Sequence, residues 1–323
     1  MKAIRIDAHG DASVLRIADV DTPEPGANDV RVRHEAIGVN YIDTYHRSGL
    51  YPNALPHGLG LEAAGVVDAV GASVTRFKQG DRIAYCSGPI GAYAETHVVN
   101  EARAVKLPDA IAFDIAAASL LKGMTARYLL RKTFRVEQGH VVVVHAAAGG
   151  VGQIATQWAK HLGAQVAATV GSDEKAEIAR ALGADDVIVT ARDDIAKRVR
   201  AISDGKGAHV VYDGVGKDTF AASLDSLRPL GMLVSYGNAS GPPPDINPLT
   251  LSQKGSLFLT RPTLFHYTAT TEQLDETAAD LFDVMARGAV KVAQPTRYAL
   301  ADAAQAHRDL EARKTTGSLV LTP

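Results

Sequence analysis

Residues 141–155 read VVVVHAAAGGVGQIA: four valines, a turn of small residues, then apolar positions at helical spacing. The segment suits one task, the binding of a pyrophosphate. Ala147 takes the first-glycine place of a dinucleotide-binding turn, with Gly149 and Gly152 as second and third. Small residues let the backbone approach the phosphates, and the helix that follows presents its free amides and positive dipole end to them. The next apolar run, 166–170, leads into Gly171, Ser172, Asp173, Glu174 and Lys175. No carboxylate stands at the strand end itself, where Asp or Glu would hold the ribose of NAD. Lys175, one turn further on, suits a 2′-phosphate. Asp173 and Glu174 fit the first turn of a helix, where they complement its dipole. The expected cofactor is NADPH.

Such a turn needs a sheet behind it. Apolar runs at 141–145, 165–170, 186–190, 209–212 and 232–236 alternate with helical stretches, clearest at 151–162 and 173–182. Strands that are apolar on both faces and separated by helices call for a doubly wound parallel sheet, an α/β fold. The first part of the chain differs. Short strands at 2–7, 29–36 and 64–70, with turn signals at 23–26, 78–81 and 87–89, predict a partly open β-barrel. An Ala/Leu-rich helix over 113–130 separates the two patterns. After Pro242–Pro244 come a strand at 256–260, helices at 271–287 and 300–314, and a last strand at 318–322 that returns to the first domain.

Thirty-four basic and thirty-six acidic residues leave a net charge of −2, so there is no global attraction for nucleic acid or an anionic membrane. The single cysteine, Cys86, excludes an intrachain disulfide and a Cys-rich structural zinc site. With no signal-like leader and no apolar run of about 18 residues, the expected place is the cytoplasm. His145 reads as a core or hydrogen-bonded histidine, Trp158 as packing, Cys86 as inert, and Glu62 as a buried group that fixes the fold.

Residues 36–43 (AIGVNYID) and 58–65 (GLGLEAAG) resemble the medium-chain dehydrogenase/reductase superfamily. Its zinc alcohol dehydrogenases carry Cys in the first segment and His-Glu in the second. Here Asn40 and Leu61 stand in those places, and neither replaces a thiolate or an imidazole as zinc donor. The expectation is therefore no metal, and without a Lewis acid the hydride acceptor must already be electrophilic. Blocks at 40–45, 48–52, 60–65, 121–126, 145–152, 211–216, 236–241 and 253–262 resemble the zinc-free quinone reductases of the zeta-crystallin type, and they span the chain in order.

That resemblance implies a GroES-like, partly open barrel domain of residues 1–122 and 266–323, interrupted by a Rossmann dinucleotide-binding domain of residues 123–265. The nicotinamide would lie in the cleft between them, lined by Asn40, Asp43 and Tyr45 from one side and Tyr236, Gly237 and Asn238 from the other. Ala148, Gly149, Gly150 and Val151 would hold the pyrophosphate, Gly171, Ser172 and Lys175 the adenosine phosphate, and Arg313 the cofactor again. The family's usual Tyr is Thr190 here, with Arg192 close by. Tyr45, Tyr51 and Arg261 would be the polar groups facing a quinone, and none is claimed as essential. The resemblance also implies a homodimer through an edge strand near Gly255–Thr260. Two alternatives remain: an NADPH-dependent enone or enal reductase, and a zeta-crystallin-like RNA-binding or structural protein. The chain's charge and its lack of an aromatic-plus-basic stripe disfavour RNA.

Overall fold

A computed structural model describes all 323 residues. The chain begins with β1 (Lys2–Ile6), β2 (Arg16–Asp19) and β3 (Asp29–Val39), followed by α1 (Tyr41–Ser48). Next come β4 (His57–Gly58), β5 (Glu62–Val70), β6 (Arg82–Tyr85), β7 (Thr96–Asn100), β8 (Ala104–Lys106) and α2 (Phe113–Tyr128). An alternating stretch follows: β9 (Val141–Val144), α3 (Gly150–His161), β10 (Gln165–Val170), α4 (Asp173–Ala181), β11 (Asp186–Val189), α5 (Ile195–Ile202), β12 (Ala208–Asp213) and α6 (Phe220–Asp225). The remainder is β13 (Leu227–Ser235), α7 (Pro248–Gln253), β14 (Phe258–Thr260), α8 (Leu264–Tyr267), α9 (Thr271–Ala286), β15 (Thr296–Ala299), α10 (Ala303–Glu311) and β16 (Leu319–Thr322).

Two compact units emerge. One contains Met1–Lys122, Thr268–Phe282 and Val292–Pro323, the other Gly123–Tyr267 and Asp283–Lys291. In the first, β3 is central because strands pair along both of its edges, and alternate residues along its first half (Val30, Val32, His34) are buried. It pairs antiparallel with β5 along one side, and with β7 and then β16 along the other. The last strand therefore does join the barrel sheet: β16 lies between β3 and β15 and is buried at Leu319, Val320 and Leu321. Ile4, Ile6, Val30, Val32, Ile37, Leu59 and Ile83 form the core of this unit.

The second unit is the expected doubly wound sheet. Its six parallel strands run β11-β10-β9-β12-β13-β14. Counted from β9, this is the order 3-2-1-4-5-6 of dinucleotide-binding folds, with the reversal between β9 and β12. Val141–Val144 is buried throughout because helices cover both faces. The segment Asp283–Lys291 packs here through Gln157, which bonds the amide (2.9 Å) and carbonyl (3.1 Å) of Lys291.

Local departures from the sequence reading have identifiable causes. The helix expected over 113–130 stops at Tyr128 and widens into a π-type turn through Leu129–Thr133. The Leu129 carbonyl accepts from the Phe134 amide, five residues on (3.2 Å), and from the Tyr212 hydroxyl (3.2 Å). The helix expected over 300–314 begins as a tight turn at Leu300–Asp302 and ends before Arg313, whose φ of 56° lies in the left-handed region.

Candidate functional site

β3 ends where α1 begins, and the junction is built around one buried acid. Gly38 pairs across the sheet with Glu62, and a Cβ on Gly38 would fall 2.3 Å from Glu62 Oε2 and 2.4 Å from the Ala117 carbonyl. The missing side chain makes the room that the carboxylate fills. Glu62 has no exposed surface. Its Oε1 accepts from the Leu121 amide (2.6 Å), and its Oε2 from Asn40 Nδ2 (2.8 Å). Lys122 Nζ stands 3.6 Å from Oε2 and donates to the Val39 carbonyl (3.3 Å). Burial pushes the Glu62 carboxyl up, and the Lys122 ammonium is the strongest opposing influence.

Asn40 leads into α1, and Asp43 at the third helical position accepts from the Asn40 amide (2.8 Å). Asp43 opens a second buried chain. Arg47 is always a cation, so its Nη1 donates to His307 Nδ1 (3.0 Å) and leaves the ring proton on Nε2. That proton points to the Tyr93 hydroxyl (3.0 Å), which in turn donates to Asp43 Oδ2 (2.9 Å). Arg47 is itself held by Glu311 through two bonds (2.9 and 2.6 Å). Burial, with the Arg47 charge, pushes His307 down to about 3, so the ring is neutral. Burial pushes Asp43 up to about 7, against the donors on Oδ2, while Oδ1 is buried with no partner. The chain ties α1 to α10. At its end, Tyr41 donates to the Leu310 carbonyl (3.1 Å), three residues before Arg313.

At the other end of α1 the aromatic rings gather. Tyr51 stands edge-on to Tyr45, with centroids 5.3 Å apart, and its amide donates to the Tyr45 carbonyl (3.1 Å). Five candidates from the sequence (Asn40, Asp43, Tyr45, Tyr51 and Arg313) thus lie on or beside α1 in the first unit.

The others lie in the second unit, all at the C-terminal ends of its parallel strands, the edge where such sheets bind ligands. Gly149 is the N-cap of α3, and Gly150, Val151 and Gly152 carry its first, orphan amides. A Cβ on Gly152 would meet the Ala146 carbonyl at 2.4 Å, so only glycine allows this approach of helix to turn. After β10, Gly171 has nothing within 4 Å of its Cβ position, and Ser172 caps α4 at the Lys175 amide (3.4 Å). These features fit a dinucleotide: a tight amide-lined turn for the pyrophosphate, then an open strand end beside a lysine. Tyr236, Gly237 and Asn238 follow β13, and the Tyr236 amide donates to the Asp213 carbonyl (2.8 Å). Arg261 follows β14 and donates to Ser235 Oγ (3.1 Å) and the Gly237 carbonyl (2.9 Å).

His145, Ser223 and Asp213 mimic a hydrolytic triad, yet all three are fully buried. Asp213 accepts from Ser223 Oγ (2.8 Å), Thr219 and the Val215 and Gly216 amides. His145 bonds Thr169 Oγ1 (2.8 Å) and Ser223 Oγ (2.9 Å), and burial pushes it down. The group anchors the sheet. Cys86 is buried and its thiol is pushed up by burial. No group of three or more His, Cys, Asp or Glu side chains is placed to hold a metal ion.

Sequence reasoning passed over Lys122, Tyr93, His307 and Arg47. Lys122 carried a signal: a lysine inside the apolar run AAASLLKGMTA, buried on every side, needs a buried counter-charge.

The chain is similar to known proteins along its whole length. Residues 26–109 match the alcohol dehydrogenase GroES-like domain family, and residues 150–284 the zinc-binding dehydrogenase family. A quinone oxidoreductase of Pseudomonas aeruginosa is 54% identical over 100% of this chain and 99% of its own. The crystal structure of Escherichia coli quinone oxidoreductase complexed with NADPH is 47% identical, with TM-score 0.98 and full coverage of both chains. A 2-haloacrylate reductase of a Burkholderia species is 45% identical over 94% of each chain.

Asp43 gives a test by titration. The folded chain keeps its proton up to about pH 7, whereas the unfolded chain releases it near the ordinary value of 3.8. Between those values the folded state holds the extra proton, so its contribution to stability falls as pH rises. In Asp43→Asn that contribution is gone. Urea midpoints measured from pH 4 to 7 should fall less steeply for the variant than for the parent, and parallel curves would contradict this.

Proposed function

The chain belongs to the quinone oxidoreductase family, and we propose that it reduces quinones with NADPH through the two sets of residues described above. The carrying observation is the full-length match to quinone oxidoreductases, one of them solved with NADPH, in a chain whose zinc-ligand places hold Asn40 and Leu61. NADPH supplies a hydride. The protein's task is to bind, orient and stabilise charge.

The amides of Gly150 and Val151, with Ala148 and Gly149 in the turn, receive the pyrophosphate. Gly171, Ser172 and Lys175 take the adenosine 2′-phosphate. In the first unit Asn40, Asp43, Tyr45 and Arg313, and in the second Tyr236, Gly237 and Asn238, are the further residues proposed to contact the cofactor. A quinone that accepts a hydride becomes an anion, so donors beside it lower the barrier. Tyr45, Tyr51 and Arg261 are the donors proposed for that place. Arg261 is oriented for it by Ser235 and the Gly237 carbonyl.

The 2-haloacrylate reductase among the relatives supports a second reading, reduction of a conjugated, electron-poor double bond by the same hydride step. We also propose a homodimer through β14, which is the edge of the six-stranded sheet and exposes Phe258 by 55%. The proposed location is the cytoplasm. No helix is long and apolar enough to cross a membrane.

Oxidation of NADPH should be rapid with 1,2-naphthoquinone and slow with a conjugated enal; turnover on the enal alone would overturn the first reading. In the same assay Lys175→Ala should raise KM for NADPH by about 10–100-fold, the loss of a bond to a charged group, and leave KM for NADH nearly unchanged. Phe258→Asp should convert the dimer to a monomer by light scattering. A parent protein already monomeric would refute the edge-strand assembly.

A further inference from the structure

The strand ends beside the 2′-phosphate place carry a second cation. β11 runs parallel to β10, with Val189 opposite Val170, so residues 190–193 emerge next to Gly171–Lys175. Thr190 has its donors engaged at the strand end: its amide (2.9 Å) and hydroxyl (3.2 Å) both donate to the Val170 carbonyl. Arg192 is turned towards residues 171–175. Its guanidinium donates to Asp173, the first residue of α4, with nitrogen–oxygen distances of 2.8 and 2.7 Å. The arginine and aspartate side chains are 55% and 73% exposed. An ion pair this exposed is weak and screened by salt, so a phosphate dianion arriving beside it can displace the carboxylate. Guanidinium also matches phosphate oxygens in a bidentate way that a carboxylate pair with one shared nitrogen does not exhaust.

We propose that Arg192 is a specificity-determining residue for the phosphorylated cofactor, and that Asp173 holds it in reserve while the site lacks a 2′-phosphate. On binding, the guanidinium leaves Asp173 for the phosphate and joins Lys175 there. Asp173 thereby opposes NADPH in two ways, as a competitor for Arg192 and as a nearby negative charge. Only the first runs through Arg192. The inference rests on the NADPH reading above and adds to it a residue at a strand end where the donors of Thr190 are engaged by the Val170 carbonyl.

Four proteins test it: the parent, Arg192→Ala, Asp173→Asn and the double variant, each assayed with NADPH and NADH. All changes are at exposed side chains, and unchanged melting temperatures confirm that each variant folds. Arg192→Ala should raise KM for NADPH roughly tenfold and leave KM for NADH unaltered. Asp173→Asn should lower KM for NADPH a few-fold, about two to five, and the gain should shrink when Arg192 is absent. An equal gain with and without Arg192 would show simple repulsion and overturn the reserve role. If Arg192→Ala changes neither cofactor, or both alike, Arg192 does not set specificity. Lys175→Ala separates that failure from a wider one: if it too leaves NADPH untouched, the phosphate place itself has been misassigned.

Discussion

A carboxylate with no exposed surface has to be neutralised by the atoms around it, and in this chain that requirement falls on Glu62. Its position is made by the bare backbone of Gly38 opposite, and its charge is answered by Lys122 and by amides of Asn40 and Leu121. Four elements meet there: the end of β3, the start of α1, the head of β5 and the middle of α2. Removing one partner from such a buried pair typically costs about 3–5 kcal/mol, since the other charge is left without compensation. The residues that begin α1, which the proposed function uses, are therefore placed by an electrostatic constraint as well as by packing.

The second chain, from Asp43 through Tyr93 and His307 to Arg47 and Glu311, extends this constraint to the C-terminal helix. Every hydrogen in it has an assigned direction because Arg47 can only donate. The consequence is a histidine held neutral and one tyrosine hydroxyl committed to a buried acid. The C-terminal helix, whose bonds to α1 span 260 and 269 residues of sequence, is thereby fixed to both ends of α1.

The nucleotide-binding unit was legible in the sequence because its signals are local. Four valines, a small-residue turn and a helix are contiguous, and the parallel order of the strands follows from the βα alternation. The return of the last strand was also readable, since an apolar strand with no neighbour must join an existing sheet. What escaped notice depends on register and distance. Nothing local says that Gly38 faces Glu62, or that a lysine sixty residues later completes the pair. The Asp173–Arg192 contact depends likewise on two strand ends being adjacent. Sequence alone marks Glu62 as a structural acid, and only the fold supplies its partners.

On this account the chain reduces quinones with NADPH without zinc: Asn40 and Leu61 hold the places of two zinc ligands, and Tyr45, Tyr51 and Arg261 are the proposed donors. The most direct measurement is the rate of NADPH-dependent quinone reduction before and after exhaustive dialysis against a strong chelator, with zinc content determined on the same samples. Unchanged turnover with far less than one zinc per chain is the predicted result. A rate that falls as zinc is removed, and recovers when zinc is restored, would contradict it.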